Sequence, residues 1–288
     1  MTNEFDLLSL VLALRPLTED VTGPPWWGRA AHALFLDAVR ATDPALAAEL
    51  HEGQGPRPFT ASTLMGRFPD KRLDPSALYH LRLTAIEGRV ARGLAQAAAA
   101  GGPLAPGATA ELDYHRFRVE SVAADAAGHP WAAGDSYAGL AAARLVSAEP
   151  APRQISLLFT SPTTFRSQER HVPVPLPDLV FGSLLERWNA FSPVAFPAET
   201  RRYAEECLAI SRYELSTRPV PAKQGGLRVG AVGPITYTTL NYDRYWMGVL
   251  HALASFAIFS GVGAGTSTGL GQARAVENGT QMNADQRR

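Results

Sequence analysis

The sequence predicts an α+β protein built from two successive β-α-β-β-α-β halves, and three observations support this prediction. The chain has 288 residues, a length typical of two domains of about 150 residues each. Hydrophobic residues make up 46% of the chain and charged residues 19%, which is the composition of a packed globular protein. The third observation is that apolar patterns with the periods of strands and helices occur in the same order twice.

The first half begins with a buried strand and a long amphipathic helix. Residues Phe5 to Leu14 are rich in Leu and Val and predict the strand. Residues Gly28 to Thr42 carry apolar side chains at spacings of three and four and predict the helix. Asp43 and Pro44 are then a cap and a first helical residue, so a short second helix begins here and ends near His51.

Two strands, a second long helix and a closing strand complete the first half. The strands are predicted over Arg57 to Leu64 and Tyr79 to Ala85, the helix over Glu87 to Ala100, and the closing strand over Tyr114 to Ala123. In this order two helices cover one face of an antiparallel sheet, which is the ferredoxin-like arrangement.

The second half shows the same order of elements without the same residues. The predicted elements are a strand over Gln154 to Thr160, a helix over Leu179 to Phe191, strands over Cys207 to Thr217 and Gly225 to Thr239, a helix over Tyr245 to Phe259, and a strand over Gln272 to Val276. We therefore expect two tandem ferredoxin-like domains over residues 1–135 and 153–277. A linker over 136–152, with a further strand at 140–146 as an alternative, joins them, and a polar tail over 278–288 follows.

Charge and composition exclude several classes of protein. The 27 basic and 27 acidic residues cancel, so the net charge by itself indicates no partner. Cys207 is the only cysteine, which excludes an internal disulfide and a Cys-rich zinc site. The most apolar stretch, Met247 to Phe259, is shorter than the roughly 20 residues that span a bilayer, and the opening residues do not resemble a secretory signal. We expect a cytoplasmic protein without membrane contact.

The most distinctive motif is a glycine-rich segment between the last predicted helix and the last predicted strand. It runs from Phe259 to Gly271, and its glycines are Gly261, Gly263, Gly265, Gly269 and Gly271. Dinucleotide-binding loops follow a strand instead of a helix, and the Lys-Ser/Thr of a Walker loop is absent. Such a backbone can approach phosphates closely and offer its amides as an anion nest. The alternative is a flexible connection that ends a helix.

Together with two further segments, this loop resembles the CRISPR-associated crRNA-processing endoribonucleases, the "Cas Six" family of the repeat-associated (RAMP) superfamily. The first segment is DPALAAELHE over 43–52, followed by GPRPFTAS over 55–62. It is similar to the family's helix, His-Glu pair and strand beginning near Phe-Thr-x-Ser. The second is FTSPTTF over 159–165, which resembles the Ser-Pro-Thr turn of the family's second domain. With the first predicted helix and the last predicted strand, these segments run from about residue 28 to 276, so the resemblance covers nearly the whole chain.

The resemblance implies an endoribonuclease that cleaves CRISPR repeat RNA, converting pre-crRNA to crRNA, without a metal or another cofactor. A ribose 2′-hydroxyl attacks the adjacent phosphate and leaves 2′,3′-cyclic phosphate and 5′-hydroxyl ends. The implied partner is repeat RNA, with other Cas proteins and a second copy of this chain as further candidates. The resemblance also implies that the five glycines and Ser62 bind RNA.

The same resemblance assigns the acid-base chemistry to His51 and a phosphate contact to Arg57. Histidine populates both protonation states near neutral pH, and a guanidinium binds phosphate oxygens where relatives carry Lys. Relatives often have a tyrosine in the first helix, and the matching position here is Leu36. Two alternatives follow: His32, one helical turn before Leu36, replaces the tyrosine, or His51 works with arginines alone.

Binding of RNA requires local positive charge, which the second half of the chain offers. Ten residues concentrate basic groups there: Arg153, Arg166, Arg170, His171, Arg201, Arg202, Arg212, Arg218, Lys223 and Arg228. Acidic residues in the same interval leave a mixed-charge surface as the alternative. Two rival functions remain: a noncatalytic RNA-binding subunit of a CRISPR interference complex, and an unrelated enzyme whose glycine loop binds a small phosphate ligand.

Overall fold

The computed structural model describes residues 5–18, 22–53, 55–168, 170–222 and 225–276. These residues divide into two compact units. Unit 1 comprises residues up to 135 together with 267–269, and unit 2 comprises 136–266 and the residues from 270 onward. The tail predicted over 278–288 lies outside the described residues. Within the described part of the chain, no helix combines the length and apolarity needed to cross a membrane.

Unit 1 is an antiparallel sheet with helices packed against it. Its elements are β1 Leu7–Pro16, α1 Gly28–Thr42, α2 Pro44–Glu52, β2 Phe59–Ala61, β3 Tyr79–Ala85, α3 Gly88–Ala98, β4 Thr109–Leu112, β5 His115–Ala123 and β6 Ala133–Asp135. The strand order is β2-β3-β1-β5-β4, and β6 pairs with β1. Strand β1 is central and almost wholly buried, as its continuous apolar run predicts. The apolar stripes of α1 and α3 close the core.

Unit 2 has the same strand order in its sheet. Its elements are α4 Tyr137–Leu145, β7 Gln154–Thr163, β8 Phe165–Ser167, β9 Arg170–Val172, α5 Pro177–Phe191, α6 Glu199–Cys207, β10 Leu208–Tyr213, β11 Ser216–Pro221, β12 Leu227–Thr239, α7 Arg244–Ser260 and β13 Ala273–Val276. The order β10-β12-β7-β13 places the first strand of this unit between its third and fourth. The order β2-β3-β1-β5 in unit 1 does the same, so the prediction of an α+β fold with two tandem ferredoxin-like domains is confirmed.

The segment expected to be a linker folds differently from the prediction. Helix α4 occupies residues 137–145 of the segment 136–152, which the sequence predicts to be a linker or to contain a strand. Ser136 caps this helix by accepting a hydrogen bond from the Gly139 amide at 2.9 Å, and Tyr137 and Leu140 are buried. Alanine-rich sequence has high helix propensity, and two buried anchors suffice to dock such a short helix. Helix α6 and the β8-β9 hairpin are further elements that the apolar periodicity of the sequence does not predict.

Candidate nucleic-acid interface and catalytic site

The short helix α2 presents His51 in its last turn. The side chain of Asp43 accepts a hydrogen bond from the Leu46 amide at 2.9 Å, and Pro44 follows it in the first turn. These residues form the predicted cap, because an Asp at this position satisfies a backbone N–H that a helix start leaves unpaired. The side chain of His51 is exposed to solvent. The helix therefore presents an imidazole that a large substrate can reach.

Arg57 lies at the carboxyl end of the same helix. Its Nη1 donates a hydrogen bond to the backbone carbonyl of Leu50, and its side chain is half-buried. A cation is stabilised at this end of a helix because the last carbonyl groups lack intrahelical partners. One guanidinium has five N–H donors, so this contact leaves donors for a second acceptor.

His32 lies in α1 with its ring half-buried. Its Nδ1 is 3.1 Å from the carbonyl oxygen of Ser267, and its ring centroid is 5.2 Å from that of Phe59. Desolvation by burial lowers the pKa of His32, the contact with Ser267 opposes this effect, and the positive charges of Arg57 and His51 lower the pKa further. In unit 1, His51 and Arg57 are therefore close enough to His32 for their charges to change its pKa.

The backbone of residues 267–269 occupies a well-defined position in unit 1. The indole Nε1 of Trp26 donates a hydrogen bond to the Thr268 carbonyl at 2.8 Å. A Cβ on Gly28 would lie 1.9 Å from the same oxygen, so only glycine fits there. Gly269 forms a parallel bridge with Ser62. The indole of Trp26 and the missing Cβ of Gly28 thus hold this segment in place within unit 1.

Ser62 and Leu36 both lie in the interior. Ser62 is 1% exposed; its Oγ donates to the Thr63 carbonyl at 2.8 Å and accepts from the Arg82 amide at 2.9 Å. Both hydrogen bonds of the Ser62 hydroxyl are therefore made to backbone groups inside unit 1. Leu36 packs in the core, so the position matched to the family tyrosine faces away from any substrate.

In unit 2, three backbone amides of the glycine-rich segment donate hydrogen bonds to other groups of the protein. Gly261 donates to the Ala257 carbonyl at 2.9 Å and Gly271 to that of Pro162 at 3.1 Å. Gly263 donates to the Ser183 hydroxyl at 2.8 Å. The N–H groups at these three positions are thus already bonded within the protein and are not free to contribute to the predicted anion nest.

Burial separates the glycines into two groups. Gly261, Gly269 and Gly271 are buried, whereas Gly263 and Gly265 are partly exposed. All five have positive φ angles, a conformation that glycine adopts without the penalty a Cβ imposes. Two partly exposed glycines with no side chains give a ligand close access to the main chain.

Basic side chains cluster beside Gly265. Arg166 and His171 are cross-strand partners in the β8-β9 hairpin, and the positive charges of Arg228 and Arg166, after desolvation, lower the pKa of His171. A Cβ on Gly265 would lie 3.5 Å from Nη1 of Arg228. We call Arg166, His171 and Arg228 the basic cluster. Among the described residues, none of the three forms an ion pair with a carboxylate.

Other predicted basic residues are neutralised locally. Arg201 pairs with Asp178 at 3.5 Å, Arg202 with Glu206 at 3.9 Å and Arg212 with Glu214 at 3.5 Å, while Lys223 lies outside the described residues. These three arginines therefore belong to a surface of mixed charge. The positive charge that could attract RNA is left to a smaller number of the predicted basic residues. Over the part of the chain that the structure describes, no group of three or more His, Cys, Asp or Glu residues could hold a metal ion.

Two family models match the chain. The model of the CRISPR-associated endoribonuclease Cas6 matches residues 157–273, and the model of the CRISPR Cas6 N-terminal domain matches residues 7–89. Two curated relatives, the CRISPR-associated endoribonucleases Cas6 of Mycobacterium tuberculosis strains CDC 1551 / Oshkosh and ATCC 25618 / H37Rv, are 31% identical over 135 residues. This match covers 46% of the chain and 42% of the relatives, less than half of their length.

Solved structures resemble nearly the whole chain. A Cas6 product complex is 31% identical, with a TM-score of 0.75, over 94% of this chain and 99% of that one. The same protein has been solved as a histidine-to-alanine mutant and as a substrate mimic complex. A product complex of a Thermus thermophilus Cas6 is 27% identical, with a TM-score of 0.77, over 95% of this chain and 100% of that one. The fold and these likenesses define a protein of CRISPR systems with two ferredoxin-like domains. The chain belongs to the Cas6 family.

Proposed function

We propose that this chain is a metal-independent endoribonuclease that cleaves CRISPR repeat RNA at His32, His51 and Arg57 of unit 1. The single observation that carries the proposal is the grouping of these side chains. The centroid of the half-buried His32 ring lies 5.2 Å from that of Phe59, two residues after Arg57, and the positive charges of Arg57 and His51 lower the pKa of His32. We place the reaction in the cytoplasm, with other Cas proteins or a second copy of the chain as further partners.

The geometry of His32 supports a role as general base. A carbonyl oxygen only accepts hydrogen bonds, so Nδ1, which faces Ser267, carries the hydrogen. In the neutral ring Nε2 is then unprotonated and can remove the proton of the ribose 2′-hydroxyl. Since burial lowers the pKa of His32, the neutral form predominates at physiological pH. This is the state that a general base requires.

His51 and Arg57 supply the other two requirements of the reaction. The 2′-oxygen forms a bond to phosphorus while the bond from phosphorus to the 5′-oxygen breaks, and the departing oxygen must receive a proton. The exposed His51, in its protonated form, can deliver that proton. The remaining donors of Arg57 can stabilise the negative charge of the phosphorane. The products carry a 2′,3′-cyclic phosphate and a 5′-hydroxyl.

In unit 2, Gly263, Gly265 and the basic cluster form the surface that we propose binds the RNA backbone. The absence of Cβ atoms permits close approach, and the guanidinium groups of Arg166 and Arg228, which form no ion pair with a carboxylate of the described residues, attract phosphates. The buried Gly261 and Gly271 support the shape of this backbone, while Gly269 and Ser62 form a backbone bridge with each other within unit 1. Similarity to structures solved as product and substrate mimic complexes favours RNA as the ligand.

Cleavage of a labelled repeat RNA tests the proposal. The wild-type chain should cut in excess chelator and leave a cyclic phosphate. It should fail on a substrate whose ribose before the scissile phosphate is 2′-deoxy, because the nucleophile is then missing. Cleavage of the deoxy substrate at an equal rate contradicts the mechanism. RNA bound but left intact identifies the noncatalytic RNA-binding subunit instead, and competition by free nucleotides indicates a small phosphate ligand.

A further inference from the structure

We propose that Arg187 is a positioning residue of the RNA-binding surface: from helix α5 it fixes the turn 260–266 in the shape that RNA meets, without touching the RNA. The inference rests on the proposed RNA binding of Gly263 and Gly265. Arg187 lies outside the sequence motifs described above, and we infer its role from its contacts in the structure.

One guanidinium connects the beginning, the middle and the end of the turn. Nη1 of Arg187 donates to the carbonyl of Ser260 at 3.2 Å and to Oγ1 of Thr266 at 2.8 Å. Nη2 donates to the carbonyl of Gly263 at 2.8 Å. The planar, rigid fork of donors makes such a three-point contact specific to arginine, because a lysine ammonium cannot reproduce its geometry.

The same face of α5 also holds the amide of Gly263. Ser183 lies four residues before Arg187, and positions i and i+4 lie next to each other on a helix. Its hydroxyl accepts the Gly263 N–H at 2.8 Å, while Arg187 binds the Gly263 carbonyl. Both polar groups of this glycine are thus fixed by one helix face.

The turn depends on such external contacts because its own sequence contributes little order. Gly261, Gly263 and Gly265 have φ angles of 60°, 77° and 78°, and glycine loses more conformational freedom on folding than any other residue. Without the guanidinium, the turn 260–266 gains alternative conformations. Binding RNA would then require ordering the turn again, which lowers affinity.

The charge of Arg187 gives a second, independent indication of an anionic ligand. Burial lowers its pKa to about 10, opposed by the charge of Glu186, so it remains a cation at neutral pH. Among the described residues, no carboxylate forms an ion pair with it; its contacts are with two carbonyl groups and a hydroxyl. A buried cation beneath this glycine-rich turn creates a positive potential at the outer face of the turn.

The test measures repeat RNA affinity across a salt series, thermal unfolding, and amide hydrogen exchange of the turn without RNA. The variants are Arg187→Met, Arg187→Lys and Ser183→Ala, and Arg202→Met on α6 is the matched surface control. Arg187→Met should weaken RNA binding roughly tenfold to a hundredfold, as for a lost set of charged hydrogen bonds. It should also accelerate exchange at Val262 and Ala264. Arg187→Lys should recover only part of the loss, and Ser183→Ala should show a smaller loss.

The salt series separates positioning from direct contact. A residue that contacts a phosphate contributes about 0.7 to 0.9 to the slope of log affinity against log salt. A positioning residue leaves that slope unchanged, so a reduced slope in Arg187→Met overturns the inference in favour of direct binding. Unchanged affinity and exchange in a folded variant overturn it too, with Ser183→Ala deciding if Arg187→Met does not fold. If the wild-type chain binds no repeat RNA, the proposed function fails, and the exchange data still decide whether Arg187 fixes the turn.

Discussion

Nδ1 of His32 lies 3.1 Å from the carbonyl oxygen of Ser267, and this contact sets the chemistry available to the ring. The hydrogen is held on Nδ1, so Nε2 is the acceptor. Trp26 donates to the next carbonyl along the same segment. The tautomer of His32 thus depends on a stretch of backbone held in place by hydrogen bonds and by the missing Cβ of Gly28.

Substitutions at His32 separate its hydrogen bond to Ser267 from a role as general base. His32→Asn keeps a donor near the position of Nδ1 and removes Nε2, whereas His32→Ala removes both. Both variants should lose roughly 10²- to 10⁴-fold in single-turnover cleavage rate, the usual contribution of a general base. His32→Asn should retain the wild-type melting temperature more closely. If His32→Asn cleaves at the wild-type rate, His32 is not the base and His51 works with arginines alone.

His51→Ala tests the assignment of the general acid. His51 is exposed, so its loss should leave the fold unchanged while the single-turnover rate falls roughly 10²- to 10⁴-fold with little change in RNA affinity. A substrate with a better leaving group at the 5′-oxygen should restore part of the rate, because it no longer needs the proton. Wild-type cleavage by His51→Ala would place the acid elsewhere.

Arg57→Ala should reduce both the cleavage rate and the RNA affinity, because a cation facing a phosphate acts in the ground state and the transition state alike. Arg57 also donates to the Leu50 carbonyl, so the melting temperature must be measured alongside. Arg116→Ala, an exposed arginine on β5 of the same unit, is the control. If Arg57→Ala lowers only the melting temperature, Arg57 stabilises the end of helix α2 and has no role in RNA binding or cleavage.

The sequence predicts most of the fold because the informative patterns are local. The Asp43-Pro44 cap and the apolar stripe of α1 depend on neighbouring residues only, and both are found as expected. The polar helix α6 was missed because few of its residues are apolar. The sequence predicts a linker at helix α4 because the burial of this helix depends on residues far away in the sequence, such as Gly248, whose missing Cβ leaves room for Leu145.

The candidate site is only partly predictable from the sequence, because some of its contacts join residues that are far apart in the chain. His51 and Arg57 follow from a contiguous motif, and His32 was one of two alternatives. What the sequence could not supply is the Ser267 contact, 235 residues away from His32, which fixes the tautomer. Arg187 gave no signal either, since a single cation on an amphipathic helix is normally a surface residue.

Two glycines with positive φ angles allow a matched test of the glycine-rich turn. Gly263 has a φ of 77° and Gly107 a φ of 89°, but a Cβ would lie 2.5 Å from the Thr164 carbonyl at the first and within 4 Å of nothing at the second. Gly107→Ala should cost about 1–2 kcal/mol of backbone strain and leave RNA affinity unchanged. Gly263→Ala should displace the turn and weaken binding. If Gly107→Ala and Gly263→Ala have equal effects on unfolding and on RNA affinity, Gly263 serves only to connect the helix to the strand and does not take part in RNA binding.

Arg228→Ala tests the basic cluster. Because Arg228 has no carboxylate partner among the described residues, its loss should weaken RNA binding similarly for all sequences and lower the salt slope by about 0.7 to 0.9. Arg202→Ala is the control, since Arg202 lies near Glu206 at 3.9 Å and should change neither quantity. A slope unaltered by Arg228→Ala would remove the cluster from the RNA surface.

The stability of the protein should fall as the pH drops through the range of histidine titration. Burial is the largest cause of a lowered pKa for His32, His80, His171 and His251. The unfolded chain therefore binds more protons than the folded one below about pH 6.5, and the free energy of unfolding decreases with acidification. Above that pH all four are neutral in both states, and their contribution to stability is fully present.

His251→Gln tests this linkage at one residue. Nε2 of His251 is 2.9 Å from the carbonyl of Pro152, and the amide nitrogen of glutamine can donate to the same oxygen without titrating. Around His251, burial and the charge of Arg144 lower its pKa, while the Pro152 carbonyl opposes them. Denaturant unfolding at about pH 7.5 and 5.5, above the titration of carboxylates, should therefore show a smaller loss of stability on acidification in the variant than in the wild type. An equal loss in both would mean that His251 does not contribute to the pH dependence.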